Sequence, residues 1–212
     1  MNRDLVKLSN AGYDLLVVGG GIYGVCVAWD AALRGLSVAL VDKGDFGQAT
    51  SANTLRIIHG GLRHLQRLNL WRARQAARER MIFRRIAPHL VEPLPVLIPT
   101  YGHRRPSKEL FRLALQLNEL VQLGLDRERG FPRWQIVSKE ECLRRAPGVE
   151  TKGLTGGAIF YDCRMRSSER LVLAVARSAA LSGADLANYV EVTDFLGDRR
   201  RIVGVRAKDV LT

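Results

Sequence analysis

Thirty residues, Tyr13 to Asp42, constrain the fold of this chain more than any others: YDLLVVGGGIYGVCVAWDAALRGLSVALVD. Leu15 to Val18 is a short apolar run that fits a strand buried on both faces. Gly19, Gly21 and Gly24 complete a G-x-G-x-x-G turn. The first glycine permits the tight turn, the second lets backbone approach a pyrophosphate, and the third lets the next helix pack close to the sheet. The spacing predicts a helix over Ile22–Leu33, its first amides aimed at phosphates and its end capped by Gly35. Ser37–Val41 reads as a second strand, and Asp42 stands where a carboxylate meets a ribose hydroxyl. A glycine turn alone is a weak sign, since such turns often only turn the chain. Here strand, helix, second strand and acid all accompany it, so the reading is a dinucleotide site. FAD and NAD both fit, while Asp42 opposes NADP because it would repel a 2′-phosphate.

The chain has 212 residues, enough for one large domain or one and a half. At 47% hydrophobic and 25% charged residues it is globular in composition. It contains no repeat and no low-complexity tract. The net charge is +12, and Arg56–Arg112 carries +10 of it, with thirteen Lys/Arg against Glu79, Glu92 and Glu109. That segment reads as a solvated basic helix face, or as a surface that meets anionic lipid or attracts anionic substrates. No nucleic-acid motif accompanies the charge. Cys26, Cys142 and Cys163 are widely spaced, without Cys-x-x-Cys, which predicts a reducing compartment and no metal site. Cys26 is expected in the helix core. No apolar leader precedes the glycine turn. The longest uncharged run, Leu15–Trp29, is shorter than the ~20 residues a membrane span needs. The expected location is cytoplasmic, either free or peripheral on the inner face of the cell membrane.

After Asp42, Lys43–Asn53 is a functional loop in which Thr50 and Ser51 either bond phosphates or cap the next helix. His59-Gly60-Gly61 interrupts a helical pattern over Thr54–Leu65, as glycines do where something approaches backbone closely. Arg63 follows, either an anion clamp or an ordinary surface residue. Leu70–Ile86 is a helix with Leu70, Ala73, Ala77, Met81 and Ile82 inward and arginines outward. Glu92–Thr100 is a proline-punctuated edge strand. Ser107–Leu125 is a helix with a broad apolar stripe, packed inside the fold or touching a membrane. A charged loop, Asp126–Trp134, leads to a capping box at Ser138–Glu141. Gly156–Tyr161 is a strand. Ser167 or Ser168 caps a helix to Leu181. Ala184–Val192 is one strand, and Ile202–Lys208 follows a Gly197-Asp198 turn.

Six segments together resemble the N-terminal part of FAD-dependent glycerol-3-phosphate dehydrogenases: GGGIYG, GLSVALVDKGD, ATS, IIHGGLRHL, RERMIFRRIAPHL, and GAIFYDCRMRSSERLVLAVARSAALSGA. The resemblance covers nearly the whole chain in order. It implies FAD as cofactor, held by Gly19, Gly20, Gly21, Gly24, Asp42, Lys43, Thr50 and Ser51. It places His59, Gly60 and Gly61 near the isoalloxazine, Arg63 facing the substrate, and the Val192 backbone near the adenine. An ordinary nicotinamide domain has no counterpart of the Thr50-Ser51 loop or the His59 turn. The family's tyrosine after the arginine is here His64, which can donate a hydrogen bond or act as a base, so Arg63 and His64 are the candidate catalytic pair. Asp162 and Cys163 match the family's Asp-Cys pair, but Trp-Val-Asp-Asp beyond it is replaced within Arg164–Ser168.

The expected fold is α/β: a Rossmann-like FAD-binding domain of the two-dinucleotide-binding-domain flavoprotein type, with the start of a second α+β substrate domain. The expected parts are 1–90 (FAD-binding), 91–160 (inserted substrate or cap part) and 161–212 (return to the FAD-binding domain, incomplete). The chain reads as truncated, because the resembling family continues with a second flavin motif and the arginines for substrate phosphate. The implied reaction is oxidation of glycerol 3-phosphate to dihydroxyacetone phosphate by hydride transfer to flavin N5, with electrons passed to a quinone or to oxygen. The alternatives are a related FAD enzyme for another hydroxy or amine substrate, and a non-catalytic FAD-binding fragment that needs the C-terminal half.

Overall fold

The computed structural model describes residues 2–102, 107–125, 131–198 and 200–212. Parts of the two expected loops, 103–106 and 126–130, lie outside the described residues. The elements in chain order are α1 (Leu5–Asn10), β1 (Leu15–Val18), α2 (Ile22–Leu33), β2 (Val38–Val41), β3 (Ile57–Ile58), α3 (Leu62–Leu65), α4 (Leu70–Ile86) and β4 (Val91–Tyr101). They continue with α5 (Lys108–Val121), β5 (Gln135–Val137), α6 (Lys139–Arg145), β6 (Leu154–Met165), α7 (Ser168–Leu181), β7 (Asp185–Ala187), β8 (Val190–Gly197) and β9 (Ile202–Asp209). The chain forms two compact units, one of residues 1–55 with 167–212 and one of 56–166.

In the first unit a parallel sheet runs in the order β1-β2-β7. Leu15 pairs with Val38, and Val41 with Ala187. All four residues of β2 are buried, as an apolar central strand of a parallel sheet should be. β1 departs from the expected two-faced burial: it lies at the sheet edge and leaves Val18 exposed. Val25 and Ala28 of α2 are wholly buried, as are Ala176 and Ala179 of α7, and the two helices pack on one another through these short side chains. Ser167 caps α7, its Oγ accepting from Arg170 N at 3.1 Å. The expected single strand over Ala184–Val192 is instead two. Tyr189 takes a left-handed φ of 55°, which breaks the ladder between β7 and the β8–β9 hairpin. Helix α1, without a signal in the periodicity, is capped by Asp4 and lays Leu5 and Leu8 on Val41, Ala187 and Val190.

In the second unit β6 is the spine. β4 pairs along it from Val91–Met165 to Tyr101–Leu154, and β3 and β5 also pair with it antiparallel. The β4 prolines, 93, 95 and 99, all have one parity and sit on a strand that, among the described residues, pairs with β6 alone, which suits an edge. Helix α4 has the expected bounds but a different inner face. Ala73, Ala77, Arg80 and Met81 are buried, whereas Leu70 and Ile82 are exposed. Helix α5 ends at Val121, where Arg74 Nη1 donates to the Val121 carbonyl at 2.6 Å.

Tyr13 closes the start of the parallel sheet by donating to Asp185 Oδ2 at 2.9 Å, and Lys7 donates to Oδ1 of the same carboxylate at 2.7 Å. Burial first, then the hydrogen bond and negative charge of Asp185, push the Tyr13 hydroxyl from 10.0 up to about 12. The folded chain therefore holds this proton more tightly than the unfolded chain. The associated stabilisation is complete below pH 10 and is lost as pH rises through about 12. Urea unfolding across that window, with tyrosinate absorbance read in parallel, is expected to show a steeper loss of stability for the native chain than for Tyr13→Phe.

Candidate active site

The glycine turn is built by close approach. Gly19 has a φ of 108° and donates to the Val41 carbonyl at 2.8 Å, carrying the backbone from β1 past the end of β2. A Cβ on Gly24 would run into the carbonyl oxygen of Gly19, so α2 can begin directly against the turn only without a side chain there. Asp42 Oδ2 accepts from Gly20 N at 2.6 Å, and Oδ1 accepts from Gly44 N at 2.8 Å. This carboxylate therefore joins the glycine turn to the loop after β2. The loop returns over the turn: Gly47 N donates to the Gly20 carbonyl at 3.0 Å, and Ser51 Oγ accepts from Ile22 N at 3.0 Å. Ser51 thus caps the preceding helix, α2, rather than the following one. Lys43 and Thr50 are exposed. The Val192 side chain packs with the cluster around Val41, Ala187 and Val190.

These residues fit the ribose and pyrophosphate of a dinucleotide. Nothing stands within 4 Å of where a Cβ on Gly19 would lie, whereas the Phe46 ring lies against Gly20 and Ser51 Oγ beside Gly21, so the turn is open to a ligand at Gly19. Ile22 N is taken by Ser51 and Val25 N by the Gly21 carbonyl, which leaves the Tyr23 and Gly24 amides at the start of α2 without an intrahelical carbonyl. An ionised carboxylate accepts about four hydrogen bonds, so Asp42, which makes two to backbone, has capacity left for ribose hydroxyls.

The second unit gathers a separate set around Asp162, which the sequence marks only as half of an Asp-Cys pair. Asp162 is buried on β6. Its Oδ1 accepts from Gly60 N at 2.6 Å, and its Oδ2 lies 2.9 Å from His59 Nδ1. Arg80, 3% exposed, stands 3.7 Å from Oδ1, donates to the Tyr161 carbonyl at 2.7 Å and to Gln122 Oε1 at 3.0 Å, and stacks on Phe131 at 4.5 Å. A Cβ on Gly60 would collide with the Arg80 guanidinium. Gly61 has a φ of 87°, and a Cβ there would lie 2.7 Å from the Ala73 carbonyl oxygen. The paired glycines are thus explained by an arginine and a helix pressed against them. Helix α3 follows with Arg63 exposed and His64 half-buried, and no hydrogen bond joins those two side chains among the described residues. A cleft of about 360 Å³ opens in this unit beside Arg80, Phe131, Trp134 and Tyr161, and neither Arg63 nor His64 lines it. Among the described residues no cluster of His, Cys, Asp or Glu could hold a metal, and no helix is long and apolar enough to cross a membrane.

A βαβ unit with a close-packed glycine turn and an acid at the end of its second strand defines a dinucleotide-binding α/β protein. A family model described as FAD dependent oxidoreductase matches residues 14–211, and the chain belongs to that family. FAD is accordingly its cofactor. The chain is 36% identical over 211 residues to an alpha-glycerophosphate oxidase of Streptococcus pyogenes, covering 98% of this chain and 34% of that protein. It is 36% identical to a glycerol-3-phosphate dehydrogenase of Synechocystis, covering 99% and 37%. The crystal structure of the glycerol-3-phosphate dehydrogenase from Bacillus halodurans complexed with FAD superposes with a TM-score of 0.69 at 28% identity, over 97% of this chain and 32% of that one. L-proline dehydrogenase from P. horikoshii shares the fold at 19% identity, with a TM-score of 0.64. The chain spans about a third of the length of the curated relatives it matches.

Ser51 separates a structural cap from a pure phosphate ligand. Ser51→Ala leaves Ile22 N–H without its partner, and urea unfolding of the FAD-free chain is expected to show a loss of about 1 kcal/mol. A residue that served only a bound phosphate would leave the FAD-free chain unchanged.

Proposed function

We propose that this chain is the FAD-binding part of an enzyme that oxidises glycerol 3-phosphate to dihydroxyacetone phosphate and passes the electrons to a quinone. The first unit, 1–55 with 167–212, is the cofactor part. The second, 56–166, belongs to the substrate side. The observation that carries this reading is the His59-Gly60-Gly61 turn locked to Asp162 and Arg80, in a chain that is 36% identical to both an oxidase and a dehydrogenase named for this substrate. The fold alone does not choose a substrate, since proline dehydrogenase has it too. Bound FAD supplies a two-electron acceptor for a hydride from the substrate carbon.

The chain's own residues do the rest. Gly19, Gly20, Gly21 and Gly24 admit the pyrophosphate, helped by the first-turn amides of α2. Asp42 receives ribose hydroxyls, Lys43 and Thr50 flank the phosphates, and Ser51 holds the helix end that faces them. The Val192 backbone lies along the adenine. His59, Gly60 and Gly61 meet the isoalloxazine. Arg63, exposed on a short helix, takes the anionic end of the substrate, with His64 beside it as donor or base. The basic outer face of α4, where Arg72, Arg78 and Arg85 are exposed, attracts anions, whether substrate or the headgroups of a membrane that carries the quinone. The identity to alpha-glycerophosphate oxidases favours a second reading in which oxygen takes the electrons.

The test has two stages. This chain is expected to keep flavin absorbance bands after mixing with FAD and desalting. The longest polypeptide that carries it is expected to bleach anaerobically with glycerol 3-phosphate. A quinone analogue should then restore the bands faster than oxygen does, and faster return with oxygen selects the oxidase reading. Retained flavin that bleaches with an amine or another polyol, but not with glycerol 3-phosphate, overturns the substrate.

A further inference from the structure

The carboxylate of Asp162 faces three groups at once, and two of them can only donate. Gly60 N–H points at Oδ1 from 2.6 Å, and the buried Arg80 guanidinium, also a donor without acceptor capacity, lies 3.7 Å from the same oxygen. Oδ2 faces His59 Nδ1 at 2.9 Å. Both groups at Oδ1 are donors, which makes this carboxylate the acceptor of the cluster, so the hydrogen between Oδ2 and Nδ1 belongs to the imidazole. The two side chains also differ in exposure, 8% for Asp162 against 58% for His59. The Nδ1 edge of the ring is held against a buried anion while the ring as a whole is open.

From this we propose that Asp162 is a positioning residue that fixes His59 as its Nδ1–H tautomer, leaving Nε2 as the nitrogen with a free lone pair. The inference rests on the proposed function only for its purpose. There, Nε2 is an acceptor for the hydroxyl hydrogen of a ligand brought to the His59 turn. The same carboxylate sets the turn itself through Gly60 N–H, so ring tautomer and backbone conformation are held by one group. A carboxylate that orients an imidazole by accepting from Nδ1 is a recurring chemical device.

The structure makes the effect of Asp162→Asn specific. Gly60 N–H donates to the inner position and the Arg80 guanidinium stands 3.7 Å from it, so the amide oxygen of an asparagine, not its NH2 group, must stay there. Its NH2 group then points at His59 Nδ1, which must become the acceptor, and the hydrogen moves to Nε2. The variant has the shape of the native chain and the opposite tautomer.

The experiment is ¹⁵N–¹H correlation of the histidine side chains in the 212-residue chain at mildly basic pH, with His59→Gln to identify the signals. The native chain is expected to show a pyrrole-type Nδ1 and a pyridine-type Nε2 at His59, and Asp162→Asn the reverse. A native spectrum with the hydrogen on Nε2 overturns the proposal even if the variant fails to fold. A folded Asp162→Asn that keeps the native tautomer overturns it as well, because a merely structural carboxylate would leave the ring unchanged. In the longest polypeptide that carries this chain, the same substitution is expected to lower kcat about 100-fold or more, with KM changed much less. Failure of glycerol 3-phosphate to bleach the flavin would remove the substrate reading and leave the tautomer result standing.

Discussion

Everything in the first unit depends on a contact that only hydrogen permits. Gly24 lies so close to the Gly19 carbonyl that a methyl group would occupy the oxygen's place. That approach starts α2 immediately at the end of β1, aims its first amides at the space beyond the sheet, and brings Ser51 and Asp42 within bonding distance of the turn. The parallel pairing of β1 with β2, and the packing of α2 on α7, are the far ends of the same geometry. The energetic argument is steric before it is chemical, since overpacking a tight site costs about 1–3 kcal/mol and displaces backbone.

The second unit has a comparable contact with different chemistry. Gly60 and Gly61 are pressed against Arg80 and the Ala73 carbonyl, and Asp162 meets Gly60 N–H, His59 and Arg80 together. A buried guanidinium is costly unless its donors are used. Arg80 uses two on Tyr161 and Gln122 and rests its face on Phe131, within the 4.5–5.3 Å at which Arg80 and Arg84 approach that ring. Part of the chain's positive charge is therefore architectural. Arg80 is interior, Arg74 satisfies carbonyls at the end of α5, and Arg164 and Arg166 grip Glu92, Arg166 first and Arg164 next holding its carboxyl below the usual carboxylate range. Arg164 on β6 and Arg166 just past its end clamp Glu92 of β4, and Ser167 caps α7.

Much of the fold is legible in the residues. The bounds of α2 and α4, the cap at Ser138, the cap at Ser167, the proline-rich edge strand and the strand after the Gly197-Asp198 turn all follow from local rules, because capping, turn chemistry and periodicity act over a few positions. The departures have non-local causes. β1 ends the strand order β1-β2-β7 with Val18 exposed, and periodicity does not report sheet order. Tyr189 breaks a strand through a backbone conformation that no residue type announces there. Arg80 sits on the inner face of α4, where the five other arginines of the helix look the same in sequence.

The sequence by itself determined the dinucleotide turn, the family, and the list of residues from Gly19 to His64 that form the candidate site, because those depend on residue type at short, fixed spacing. Tertiary structure alone decided what several of them do. It turned Ser51 back onto α2, bonded Asp42 to two backbone turns, separated His59 from His64 by their partners, and set Asp162, 103 residues along the chain from His59, against that ring. The physical reason is that a hydrogen bond is fixed by the positions of two groups in space, and when those groups are far apart in the chain no local pattern records the pairing.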